Sequence, residues 1–165
     1  MIISTITIQD IINKVDELSA YEGRDAYDVS GESDFERVHI TDQDSDWLRD
    51  FLREGLQHLV MRWSPLADDG EIGSTEVTLL SSQVSDSTRT GYITRICFEA
   101  LTSYIMQRWC MEYRQSKADL YANLVEESCR AGLVELHRIS APTKHRRRVP
   151  KDIPTIEVVY NEETD

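Results

Sequence analysis

Apolar residues at Ile8, Ile11, Ile12, Val15 and Leu18 recur at helical spacing and predict a first helix over about 8–20. Thr7 precedes it as an N-cap, with Asp10 three residues on as a weak capping box. A second run, Trp47, Leu48, Phe51, Leu52, Leu56, Leu59, Val60 and Trp63, predicts a helix over about 42–63 with a wide apolar face. Thr41 and Asp42 cap it, Asp44 and Asp46 suit its dipole, and Ser64-Pro65 ends it. Tyr92, Ile93, Ile96, Cys97, Ala100, Leu101, Tyr104, Ile105 and Trp109 leave little polar surface, so 90–114 is expected to be the central core helix. Ser116 and Asp119 suggest a fresh cap and a break near Gln115. A fourth helix over 117–139 follows, its apolar positions being Leu120, Tyr121, Leu124, Val125, Leu133 and Leu136. Helices joined so tightly fold back as a hairpin or continue as one bent rod, and the pattern is compatible with both.

Between these helices the pattern breaks in three places. Residues 21–40 are polar and acidic, with Gly23 and Gly31, and read as a long loop. Asp68-Asp69-Gly70 reads as a turn, and Glu76-Val77-Thr78-Leu79-Leu80 is the one clear internal strand. After Pro142 the character changes. The basic run Lys144-His145-Arg146-Arg147-Arg148 leads through Pro150 and Pro154 to the strand-like Ile156-Glu157-Val158-Val159-Tyr160 and an acidic end. The expected fold is therefore mainly α: a four-helix core with a short mid-chain strand in a helical domain over 1–142, and an extended C-terminal arm over 143–165. Two strands so far apart pair with each other, or with another molecule by strand addition.

Composition changes this picture little. The chain has 165 residues, 40% hydrophobic and 29% charged, which is enough for one globular domain. No apolar stretch approaches the roughly 18 residues of a membrane span, and the start lacks the basic region of a signal peptide, so cytosolic synthesis is expected. Cys97, Cys110 and Cys129 show no CxxC spacing and read as reduced, buried thiols.

Charge matters more. The net −12 is uneven: residues 1–90 carry 19 acids and 7 bases, residues 91–150 carry 6 acids and 10 bases, and the last fifteen carry 5 acids and 1 base. Such a chain repels nucleic acid overall, whereas an acidic half and a basic half attract each other between neighbouring subunits.

Candidate chemistry is thin. Asp42, Asp44 and Asp46 match the first positions of a calcium loop, but Trp47 stands where glycine is needed and Arg53 where a bidentate glutamate belongs. His39, His58, His137 and His145 have no metal-ligand spacing. Nucleotide and hydrolase glycine motifs are missing. The expectation is a protein with no catalytic site, cofactor or metal, working through contacts with other chains. Arg146, Arg147 and Arg148 are the expected charge contacts with partners, and Ile156, Val158 and Tyr160 one face of an inserted strand.

The order of elements resembles that of the head–tail connector (adaptor, or head-completion) proteins of tailed bacteriophages. The likeness rests on Thr7-Ile8-Gln9-Asp10-Ile11-Ile12, the Trp/Leu-rich second helix and Val77-Thr78-Leu79. It continues in Tyr92-Ile93, Tyr104-Ile105, Arg108-Trp109, Ala118, Tyr121-Ala122 and the exit Arg146-Arg147-Arg148-Val149-Pro150. It covers most of 5–150; the 21–40 loop and the 151–165 tail look like additions. The resemblance implies a virion protein made in the host cytoplasm, a subunit of a ring, commonly twelve-fold. Such a ring sits beneath the portal, contacts tail or neck proteins, and passes DNA without reading its sequence. An acidic lumen would let DNA slide. The rival reading is a soluble acidic regulatory module that binds a basic protein through residues 21–46.

Overall fold

Residues 90–113 are apolar on nearly every side because they are covered on nearly every side. In a computed structural model, which describes residues 1–23, 45–84 and 90–140, helix α3 (Thr90–Tyr113) buries Ile93, Ile96, Cys97, Ala100, Leu101, Ile105, Met106, Trp109 and Cys110. Around it lie α1 (Ile8–Gly23), α2 (Ser45–Trp63), α4 (Gln115–Ile139) and strand β1 (Ile2–Thr7). The protein is mainly helical, with four described helices and a three-stranded antiparallel sheet in the order β1-β3-β2, where β2 is Asp69–Ile72 and β3 is Glu76–Leu80.

Helices α3 and α4 form an antiparallel hairpin. A single residue, Arg114, separates them in a non-helical conformation, φ −144° and ψ 61°. Electrostatic neighbours run in opposite directions along the two rods, Cys110 beside Tyr121 and Cys97 beside Cys129. The expected capping box at Ser116 is not used. α4 begins one residue earlier, at Gln115, with no side-chain cap; the Lys117 amide donates to the Arg114 carbonyl at 2.8 Å instead. The buried face of α4 is Tyr121, Val125, Cys129, Gly132 and Leu136.

Two strands were not anticipated. The Ile2-Ile3-Ser4-Thr5-Ile6 run does not alternate as a half-buried strand should, because a bulge between Ile2 and Ser4 adds Ile3 to the inward-facing Ser4 and Ile6. All three are buried, against Val77 and Leu79 of β3. Thr7 therefore closes a strand and leads directly into α1, whose first amide, Ile8 N–H, donates to the Thr75 carbonyl at 2.8 Å. The Asp68-Asp69-Gly70 turn is corrected too. Asp69–Ile72 pairs with β3 from Asp69 opposite Leu80 to Ile72 opposite Val77, and the chain reverses after Ile72, where Gly73 N–H donates to the Glu76 carbonyl at 2.8 Å. Gly70 serves close approach, since a Cβ there would meet Leu56 side-chain carbons at 2.6–2.9 Å.

Helix α2 ends at Trp63 as expected, before a cis Ser64–Pro65 bond. The Trp63 indole is fully buried and donates Nε1–H to the Cys129 carbonyl at 2.8 Å, fastening α2 to α4. A Cβ at Gly132 would lie 2.2 Å from Trp63 Cζ2. Of the expected 21–40 loop, Tyr21–Gly23 are the end of α1; residues 24–40, Thr41, Asp42, Asp44 and the whole 143–165 arm lie outside the described residues.

Candidate interaction surfaces

The buried thiols and the Tyr121 phenol are held in their neutral forms. Burial pushes the Cys97 thiol up to about 12 and the Cys110 thiol up to about 11, and Cys129 shifts the same way. Burial first, with Glu22 beside it, drives the Tyr121 phenol well above the usual range. Thiols that stay protonated are poor nucleophiles and poor ligands, so the three cysteines behave as small apolar fillers. Among the described residues no group of three or more His, Cys, Asp or Glu side chains is placed to hold a metal ion. No helix among them is long and apolar enough to cross a membrane.

Two polar clusters tie elements together. Glu22, near the end of α1, accepts from Tyr121 Oη at 3.3 Å and lies 3.5 Å from Lys117 Nζ, pinning α1 to the first turns of α4. Glu54 on α2 accepts from Arg108 Nη2 at 2.6 Å, and the Arg108 guanidinium lies over the Phe51 and Tyr104 rings at 5.4 and 5.9 Å. The Glu54 hydrogen bond raises the Arg108 pKa, and burial raises that of Tyr104. The second cluster joins α2 and α3, which pack against each other, whereas the first is a polar link between α1 and α4.

The surface carries more information. On α4 the residues one step before the buried face point outward. Leu120 is 49% exposed, Leu124 39% and Val134 46%, in one row with Glu127 and Ala131 at four- and three-residue spacing. The sequence pattern counts Leu120 and Leu124 among the apolar positions of this helix without separating them from Tyr121 and Val125, and the structure places them outside the core. The phase of the helix could have separated the rows: Tyr121, Val125, Cys129, Gly132 and Leu136 form one stripe, Leu120, Leu124 and Val134 its neighbour. Met111 and Tyr113 are also half exposed at the nearby end of α3.

Compared with known protein families, curated proteins and solved structures, the chain finds no match.

A second surface lies at the β2 edge. Leu56, Gln57, Val60, Met61, Asp69 and Gly70 line an open groove of about 250 Å³ between β2 and α2, and Met61 is 70% exposed. The adjoining hairpin carries Asp68, Asp69, Glu71 and Glu76, all exposed and none in an ion pair among the described residues. The α3–α4 hairpin carries six bases and six acids, so the basic excess of residues 91–150 resides in Lys144, Arg146, Arg147 and Arg148, outside the described residues. Arg146, Arg147, Arg148, Ile156, Val158 and Tyr160 lie outside the described residues.

Proposed function

We propose that this protein is a non-enzymatic assembly subunit, a head–tail connector of the kind its sequence resembles, forming a ring below a portal and joining capsid to tail. The observation that carries the reading is the outward row Leu120, Leu124 and Val134 on α4, with Met111 and Tyr113 nearby. Exposed apolar side chains aligned along one helix mark a protein–protein contact. In a ring the contact is heterologous, so this face meets a different face of the next copy. The acidic β2–β3 hairpin and the basic 144–148 run supply complementary charge for such a pairing. The arm would grip neighbours through Arg146, Arg147 and Arg148 and through the Ile156–Val158–Tyr160 face.

Light scattering behind size exclusion, on the chain alone and mixed with a candidate portal protein, tests the reading. A large ring, or a monomer that enters a defined high-order complex on mixing, supports it. A stable monomer or dimer that ignores the portal overturns it in favour of the acidic regulatory module.

A further inference from the structure

The β2 edge is built to receive one more strand, and the chain itself carries a strand that fits. Gly73 N–H bonds to the Glu76 carbonyl, and β2 pairs with β3 in the same register. Antiparallel alternation then makes Asp69–Leu80 and Glu71–Thr78 the hydrogen-bonded pairs and turns the Gly70 and Ile72 backbone groups outward. Gly70 N–H is held by Asp69 Oδ1 at 2.7 Å. Ile72 N–H has no such partner among the described residues. Beneath this edge the groove offers Leu56, Val60 and the exposed Met61 as an apolar floor. The opposite edge of the sheet is less suited, because β1 is bulged at Ile3 and runs directly into α1.

The described chain stops close to this edge. Ser140, just past α4, forms a bridge with Val84, and the Val84 amide donates to Ser81 Oγ at 3.3 Å. Ser81 Oγ in turn donates to the Leu66 carbonyl, and Asp68 N–H donates to the Leu80 carbonyl at 2.9 Å. The C-terminal segment therefore departs within a few residues of the start of β2. Fifteen residues lie between Ser140 and Ile156, a tether of at most about 55 Å that gives the strand a high local concentration at the groove. On the way it carries Lys144, Arg146, Arg147 and Arg148, opposite in charge to the hairpin acids.

We propose that in the isolated subunit residues 156–160 of the same chain add to β2 as a fourth strand. Ile156, Val158 and Tyr160 rest on the Val60–Met61 floor, and the 144–148 run lies against Asp68, Asp69, Glu71 and Glu76. The arm is thereby parked on its own sheet until a partner takes it. The inference does not depend on the connector reading; a monomeric binding module would hold its arm in the same way. One contact opposes docking: Glu157 faces outward beside Asp69 and Glu71, and like charges across a strand pair are unfavourable.

Amide hydrogen exchange on the full-length protein tests the proposal. In the wild type the Ile72 amide should be protected, and Val158→Pro should lower that protection about tenfold or more while the inner β3 amide of Val77 is unchanged. Glu157→Lys should raise Ile72 protection by removing the like-charge contact. Equal Ile72 exchange in the wild type and Val158→Pro would overturn the proposal. So would protection that rises with protein concentration, since the occupant would then be a second copy. A Glu71→Cys/Glu157→Cys pair gives a second reading: oxidation should yield a disulfide within one chain, and dimers or no bond at all would count against it.

Discussion

Trp63 and Gly132 are coupled more tightly than any other pair of side-chain positions described above. The indole lies where a Cβ on Gly132 would be, and it reaches past that point to the Cys129 carbonyl. Gly132→Ala is therefore expected to cost about 1–3 kcal/mol by overpacking, and Trp63→Ala about 3–5 kcal/mol by leaving a cavity. In the double variant the alanine methyl occupies vacated space, so the two losses should fall well short of adding; urea denaturation of the four proteins checks this. The cysteines make a second prediction at this scale. In the unfolded chain a thiol ionises near pH 9, whereas Cys97 and Cys110 hold their protons to about 12 and about 11. Above pH 9 the unfolded state thus binds fewer protons, and stability falls as pH rises from there through the folded values; below pH 9 these thiols contribute no slope. The urea midpoint should drop between pH 8 and pH 10, and by less in Cys97→Ala.

At the scale of elements, the four helices were legible and two of the three strands were not. The helices announce themselves because one face of each is covered over many turns, and the 3.6-residue period survives small errors of phase. Strand β1 hides because its bulge breaks the two-residue period, and β2 because Asp-Asp-Gly has the composition of a turn. What makes Asp69–Ile72 a strand is its ladder to β3 and the space over Leu56 that a glycine leaves. The bulge can be tested directly. Without it Ile2 would share the inward face with Ser4 and Ile6, and Ile3 would point out; with it Ile3 is fully buried and Ile2 is exposed. Ile3→Ala should cost about 2–5 kcal/mol and Ile2→Ala no more than about 0.5 kcal/mol, measured as shifts in urea midpoint at constant slope.

For the molecule as a whole, the expected outcomes concern assembly. Leu124→Glu puts a charge in the middle of the exposed α4 row, outside the core, and should leave helix content and unfolding midpoint within about 0.5 kcal/mol of wild type. The same variant should lose the high-order species in light scattering, since an unpaired charge buried in an apolar contact costs several kcal/mol. Deleting 150–165 should likewise leave a folded core that does not assemble; a deletion variant that assembles normally removes the arm from the proposed function. By itself the sequence determined the mainly helical class, the four helices to within a few residues, the buried cysteines and the division of charge along the chain. Those are local or additive properties, carried by spacing and composition. Only the tertiary structure decided that α3 and α4 fold back on each other, that β1 joins β3 across some seventy residues of chain, and that Leu120 and Leu124 face outward. Each depends on which distant surfaces meet, and a one-dimensional pattern does not encode which of two adjacent apolar stripes will find a partner.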